Sequence, residues 1–527
     1  MKRRLHISFF NSILPATFFG ALTGVLTSVT VNLYKVIAKF IFEFSEKGYY
    51  FVGEHLYLVP LAIALFAIPA FVFAYIYKRI PNLRGGGLPT SIGILRGMIP
   101  FKWLRNLIGI FFLSLSSFLI GVPLGNEGPS VQMGTAIGRG CVYAFGKKKR
   151  AWDRYSMTGG ACAGFSVATG APISGVIFAV EEAHQRISPM ILIIASVSVM
   201  FATVTTELLA PLLGVSKSLF PSMTLRSLAL RDVWIPIAVG IVIGLFAVLF
   251  LNYYRSIFHF FNKILKKIRH GYKIMFVFSL TLILGLVSYS FISTGHHLIL
   301  ELFEGKMSWL WLIVLLLVRS TLTLCANSNR VTGGIFLPIL AVGALVSSII
   351  GKLLVDVIGL DGSYYMIVLV LGITACISGM MKMPLTAIVF AVEALSGYGN
   401  IMPIIVVSGV AFVMTELFGV ESINDRVLDN RMEEINEGKT TTLIDRYIPI
   451  KDNTFAIGKQ VRDVFWPARL IVLSKKGSEH LPVIDEHDVK AMHAGDVLHV
   501  RCETFDEKAT LEELEAIIGE ADHKRDF

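Results

Sequence analysis

A ten-residue pattern occurs twice in this chain. Pro172-Ile173-Ser174-Gly175-Val176-Ile177-Phe178-Ala179-Val180-Glu181 matches Pro384-Leu385-Thr386-Ala387-Ile388-Val389-Phe390-Ala391-Val392-Glu393 in order and chemistry. Upstream of each copy, at nearly the same offset, a glycine-rich stretch ends in proline. These stretches are Gly125-Asn126-Glu127-Gly128-Pro129 and Gly333-Gly334-Ile335-Phe336-Leu337-Pro338. Two homologous halves with breaks at matching places restrict the chain to repeat-built membrane architectures, with a binding site near the midplane. The pattern leaves open whether the halves run parallel or inverted.

The lipid setting follows from composition. Hydrophobic residues are 54% and charged residues 16% of the 527. Several runs approach the roughly 20 apolar residues that span a bilayer, among them Leu58 to Ile76, Val233 to Leu251, Ile274 to Ile292 and the flanks of Trp309 to Val318. The 46 glycines and 19 prolines predict broken helices lining a cavity. Net charge is +10, but its clusters, Lys2-Arg3-Arg4, Lys147 to Arg150 and Lys266 to Arg269, sit beside apolar runs as cytoplasmic loops do. They speak against a nucleic-acid partner and place the N-terminus in the cytoplasm. Met1 to Leu26 is basic and then apolar without a clear cleavage site, and reads as a first span. The five cysteines are scattered, with no metal-ligand spacing. No cofactor is expected, and neither a His/Glu zinc motif nor a serine-nucleophile elbow argues for an enzyme.

Glu127 is the residue that asks for a function. A carboxylate at that depth costs about 2.5 kcal/mol or more, so an ion or proton is expected to meet it there. The flanking glycines and Pro129 break the helix, and a new helix starts with free N–H groups and a positive dipole end. The same holds at Gly334, Ile335 and Phe336 before Pro338, and at Gly86, Gly87 and Leu88 before Pro89. Backbone amides there can strip water from an anion without a full positive charge to trap it.

Together with the repeat, these segments resemble the signatures of the CLC chloride channel and transporter family over roughly residues 10 to 432. The resemblance implies an all-α polytopic membrane fold of inverted repeats with tilted, broken helices, and a homodimer in the inner cell membrane. It makes Glu127 the external gate and proton carrier. Glu182, which ends the helix of the first copy, matches the internal proton relay of exchangers, although glutamates at helix ends are also simply solvated. Gly86, Gly87, Leu88, Gly334, Ile335 and Phe336 become anion-binding, with Asn424 where most members place a tyrosine on the last membrane helix. The implied function is chloride/proton antiport without a cofactor. A fluoride/proton antiporter and a passive chloride channel are the alternatives on the same fold. Three positions depart from the pattern. Gly86 stands for the usual serine, Asn424 for the tyrosine, and Asn126 for an arginine, the last as in the fluoride-exporting branch.

Residues 1–435 are therefore expected to form the membrane domain, with repeats at about 10–215 and 230–432. From Asn436 onward charges are frequent and no apolar run is long enough to span. Residues 436–506 are expected to form a small cytoplasmic α/β domain, and 507–527 a terminal helix and tail. Strands are expected at Arg469 to Leu473 and Val497 to Arg501, a short helix at Phe455 to Phe465, and a helix from Glu507 to Ala521. Ile457-Gly458-Lys459, Leu481-Pro482 and Ala494-Gly495-Asp496-Val497-Leu498 resemble the C-terminal module of RCK/TrkA potassium-transport regulators. That implies a dimerising unit able to take a small cytoplasmic ligand.

Overall fold

The computed structural model describes residues 12–85, 87–476, 480–482 and 491–519. Among them, ten helices are long and apolar enough to cross a membrane. Their outer faces expose large apolar side chains such as Phe40, Leu65, Phe112, Leu208 and Leu249, which lipid covers and water does not favour. The protein is a multi-pass membrane protein.

The first half contains α1 (Leu14–Glu54), α2 (Val59–Arg79), α3 (Leu88–Leu95), α4 (Trp103–Ile120), α5 (Glu127–Tyr143), α6 (Asp153–Thr169), α7 (Pro172–Phe178) and α8 (Pro189–Leu213). The second contains α9 (Trp234–His259), α10 (His270–Val287), α11 (His296–Phe303), α12 (Trp309–Ser328), α13 (Phe336–Lys352), α14 (Tyr364–Met381), α15 (Pro384–Ala394), α16 (Ile401–Leu417) and α17 (Ile423–Asn436). Helices α5 and α6 are short, glycine-rich and almost wholly buried. A Cβ on Gly134 would collide with the carbonyl of Gly160, and one on Gly160 with that of Gly134. The two backbones therefore touch, as small residues allow between membrane helices.

Both repeat helices begin the same way. α6 ends at Gly170 and α14 at Lys382, each left-handed, and Pro172 and Pro384 open α7 and α15. Their far ends interlock. The Glu181 carboxylate accepts from the N–H groups of Leu385 and Thr386, both at 2.7 Å, and from the Thr386 hydroxyl at 2.6 Å. Glu393 accepts from the N–H groups of Ile173 (2.8 Å) and Ser174 (2.9 Å), and from the Ser174 hydroxyl at 2.8 Å. Each carboxylate sits on the positive end of its partner helix. These reciprocal contacts make the pair antiparallel, so the repeats are inverted, as the family resemblance implied.

After α17 comes a separate unit with its own core. Strands β1 (Thr442–Pro449), β2 (Leu470–Lys476), β3 (His480–Pro482) and β4 (Val497–Thr504) form an antiparallel sheet in the order β1-β4-β2-β3. Helix α18 (Glu507–Ile518) closes it with Leu514, Ile517 and Ile518 against Ile448, Val464, Leu498 and Val500. The terminal helix thus shares the sheet's core. The helix expected at Phe455 to Phe465 is absent apart from a 3-10 turn at Val461–Asp463. Its backbone pairs elsewhere: Gly458 N–H with the Met492 carbonyl and Met492 N–H with that of Lys459, both at 2.9 Å. Burial pushes the Lys459 ammonium down to about 8, while its Nζ donates to the Phe455 carbonyl at 2.7 Å.

Candidate functional site

Three glycine loops meet in the middle of the membrane domain. Gly125 and Gly334 form a two-way backbone bridge, with N–H to carbonyl distances of 2.6 and 2.8 Å. Gly85 donates to the Arg330 carbonyl at 2.7 Å and accepts from Gly333 N–H at 3.4 Å. A Cβ on Gly128 would strike the Cα atoms of Gly334 and Gly87, so only glycine lets the loops come this close. The starts of α3, α5 and α13 converge here. Pro129 and Pro338 occupy equivalent third positions of α5 and α13, where a missing N–H does no harm.

Glu127 is the first residue of α5 and is fully buried. Its carboxylate folds back over Gly125, beside Leu337, where a side chain on Gly125 would leave no room. The amides of Leu337 and of Glu127 itself face it, but neither completes a well-formed hydrogen bond, and both oxygens stay unpartnered among the described residues. A buried carboxylate without partners is costly. It is held at a helix start whose free amides favour negative charge.

The expected donors divide into two groups. Gly87 N–H is engaged by Gln132 Oε1 at 2.7 Å, and Gly334 N–H by the Gly125 carbonyl. These two hold the loops together. Leu88, Ile335 and Phe336 stand at helix starts with N–H groups that no intrahelical carbonyl can take. Gly86 lies outside the described residues. The Phe336 ring is fixed by Phe165 and Phe390, with centroids at 5.3 and 5.5 Å, and Phe165 stacks on Phe178 at 5.5 Å. Phe178 and Phe390 are the repeat-related pair, so the repeat's own symmetry braces this end of α13.

Glu182 is buried in a π-helical turn, Ala179–Ala183, that follows α7. π-turns inside helices often mark functional positions. Asn424 Nδ2 donates to Glu182 Oε1 at 2.9 Å. The structure therefore places Asn424 on Glu182, with its amide donor directed there. Arg96 holds the turn by donating to the carbonyls of Glu182 (2.9 Å) and Ala183 (3.1 Å).

Several contributors escaped the sequence reading. Leu337 offers an amide to Glu127 but carries an ordinary apolar side chain. Arg431, buried on α17, donates to the Arg84 carbonyl (2.9 Å), the Thr90 hydroxyl (2.6 Å) and the Pro81 carbonyl (2.9 Å), tying the first glycine loop to α17. With Arg84 and Arg330 it lines a small cavity that reaches Gly333 and Ile335. Lys35 of α1 donates to the carbonyls of Ser216 (2.7 Å) and Val167 (3.2 Å). Lys35 is the first charged residue after about twenty uncharged positions of a long apolar helix, and that was the signal that could have found it.

The family model described as voltage gated chloride channel matches residues 69–416. The chain belongs to the CLC family. Among CLC relatives, the H(+)/Cl(−) exchange transporter ClcA of Vibrio vulnificus is 27% identical over 423 residues, covering 78% of this chain and 88% of that protein. ClcA of Klebsiella pneumoniae is 28% identical over 400 residues, covering 72% and 81%. A slow cyanobacterial Cl−/H+ antiporter superposes with a TM-score of 0.71 at 22% identity, covering 80% of this chain and 99% of that one. A CLC-type fluoride/proton antiporter gives 0.63 at 18% identity, covering 77% and 96%. These likenesses establish the CLC fold.

Proposed function

We propose that this protein exchanges chloride for protons, with Glu127 as the gate and proton carrier. The observation that carries the reading is a buried, unpartnered carboxylate lying at the N-terminus of α13. When ionised, Glu127 competes with a chloride for the amides of Ile335, Phe336 and Leu337, with Leu88 on the opposite loop. When protonated, it loses that attraction and leaves with its proton. One seat contested by two negative groups links their movements. The exchange-transporter names of the curated relatives support this assignment.

Glu182 relays protons from the other side along a route separate from the anion's. The anion leaves past Arg84, Arg330 and Arg431. The membrane domain pairs with a second copy through α7, α15 and α16, whose Ile173, Leu385, Ile401 and Met402 are exposed and apolar. The small domain is cytoplasmic, on the side of the Lys147 to Arg150 cluster, and its RCK/TrkA-like motifs point to a small ligand.

The test uses purified protein in liposomes. An inward proton gradient is expected to drive chloride against its own gradient, with protons and chloride moving in a fixed ratio. Chloride that only runs down its gradient would make the protein a passive channel. Asn126, in place of the family's arginine, favours fluoride as the second reading. Competition among chloride, fluoride and nitrate decides between the ions.

A further inference from the structure

One short segment of the small domain enters the core of the membrane domain. Between the turn at Val461–Asp463 and Pro467 the backbone of Val464 is extended, so neighbouring side chains point opposite ways. Val464 fills the small domain's own core. Phe465 leaves it, is 4% exposed and packs into the membrane domain's core. Its ring lies 4.4 Å from those of Tyr155 and His184, with the guanidiniums of Arg186 and Arg154 over it at 4.5 and 5.0 Å. Polar contacts surround this plug. Tyr155 and Arg154 donate to the carbonyls of Asp463 and Trp466, both at 2.5 Å. Ser188 donates to the Asp463 carboxylate at 3.2 Å.

His184 caps the π-helical turn that carries Glu182. Arg154, gripped by the same segment, also donates to the Leu95 carbonyl at 2.9 Å. Leu95 precedes Arg96, which holds the turn's carbonyls. On the far side of the Glu182 carboxylate, Asn424 belongs to α17, and α17 leads directly into β1 of the small domain. Glu182 thus lies between two elements joined to the small domain: a packed ring behind its turn and a helix in front of its carboxylate.

We propose that Phe465 is a positioning residue for Glu182, and that the small domain sets proton delivery through it while leaving the anion seat at α13 untouched. The inference rests on the reading in which Glu182 relays protons. A seam that merely anchored the domain would need no ring packed against the residue that caps this turn. Because the contact acts on a side-chain pose, its effect belongs to the proton limb of the cycle.

Full-length protein is reconstituted, and chloride and proton fluxes are recorded together. Phe465→Ala is expected to lower the proton-to-chloride flux ratio about threefold or more, in the range of coupling changes at sites that touch no ligand, with chloride flux within about twofold of wild type. Phe465→Tyr, which keeps the ring, restores the ratio. An unchanged ratio in Phe465→Ala, alongside a ratio that collapses in Glu182→Gln, overturns the proposal. A wild-type ratio in Glu182→Gln instead overturns the relay reading beneath it. If Phe465→Ala does not yield monodisperse protein, Phe465→Leu carries the same comparison, and an unchanged ratio there overturns the proposal equally.

Discussion

The two halves of the membrane domain agree where they build and differ where they act. Gly125 and Gly334 are equivalent and bond to each other, and Pro129 and Pro338 close both helix starts. Two residues after each bridging glycine, the halves part: one has Glu127, the other Phe336. At the ends of the repeat helices Glu181 and Glu393 are equivalent and exchange places across the two-fold. One residue later the first half has Glu182 and the second Ala394. Symmetry marks the scaffold here, and each acidic departure from it marks a candidate proton site.

That contrast can be broken experimentally. Glu127→Gln removes the charge from the first departure, and proton flux is expected to fall to that of empty liposomes while chloride still moves. Proton movement in fixed ratio to chloride would remove Glu127 from its role. Glu182→Ala makes the first helix end a copy of the second. It is expected to suppress proton flux strongly while preserving chloride flux and thermal stability.

The symmetric neighbours should behave in the opposite way. Glu181→Gln and Glu393→Gln each weaken charge-assisted bonds to a partner helix, with an expected loss of about 1–3 kcal/mol. The two losses should match, read as melting in detergent, and the flux ratio of the surviving protein should not change. A selective proton defect in Glu181→Gln would dissolve the division between building and acting residues. The smallest effect is expected from Asn424→Ala. Its amide faces Glu182, so proton flux should fall severalfold while chloride affinity, measured by calorimetry, stays constant. A loss of affinity would return Asn424 to the anion seat.

How much was legible in sequence depended on the range of the forces involved. The repeat, the helix breaks and Glu127 were readable because glycine, proline and a misplaced charge act on their own neighbourhoods. Inversion was not readable in the repeat pattern itself, because the order of residues does not state which helix end meets which; the family resemblance supplied it. Gly87 and Gly334 were recognised as members of the site, but their N–H partners, Gln132 and Gly125, are distant in sequence. Strand β1 was missed because only Ile444 and Ile448 are buried in it, a spacing of four that hides the alternation of a sheet. The family resemblance supplied the relay role proposed for Glu182, which two adjacent glutamates alone could not.

The exchanged carboxylates also bear on how such a chain is made. Glu181 bonds to amides 204 and 205 residues further along, so its partners do not exist when the first half leaves the ribosome. Until α15 is synthesised, a carboxylate and an open helix end wait in or near the lipid, where isolated charge is poorly tolerated. The first half is finished only by the second, and a chain that stopped before α15 would leave Glu181 without its amides.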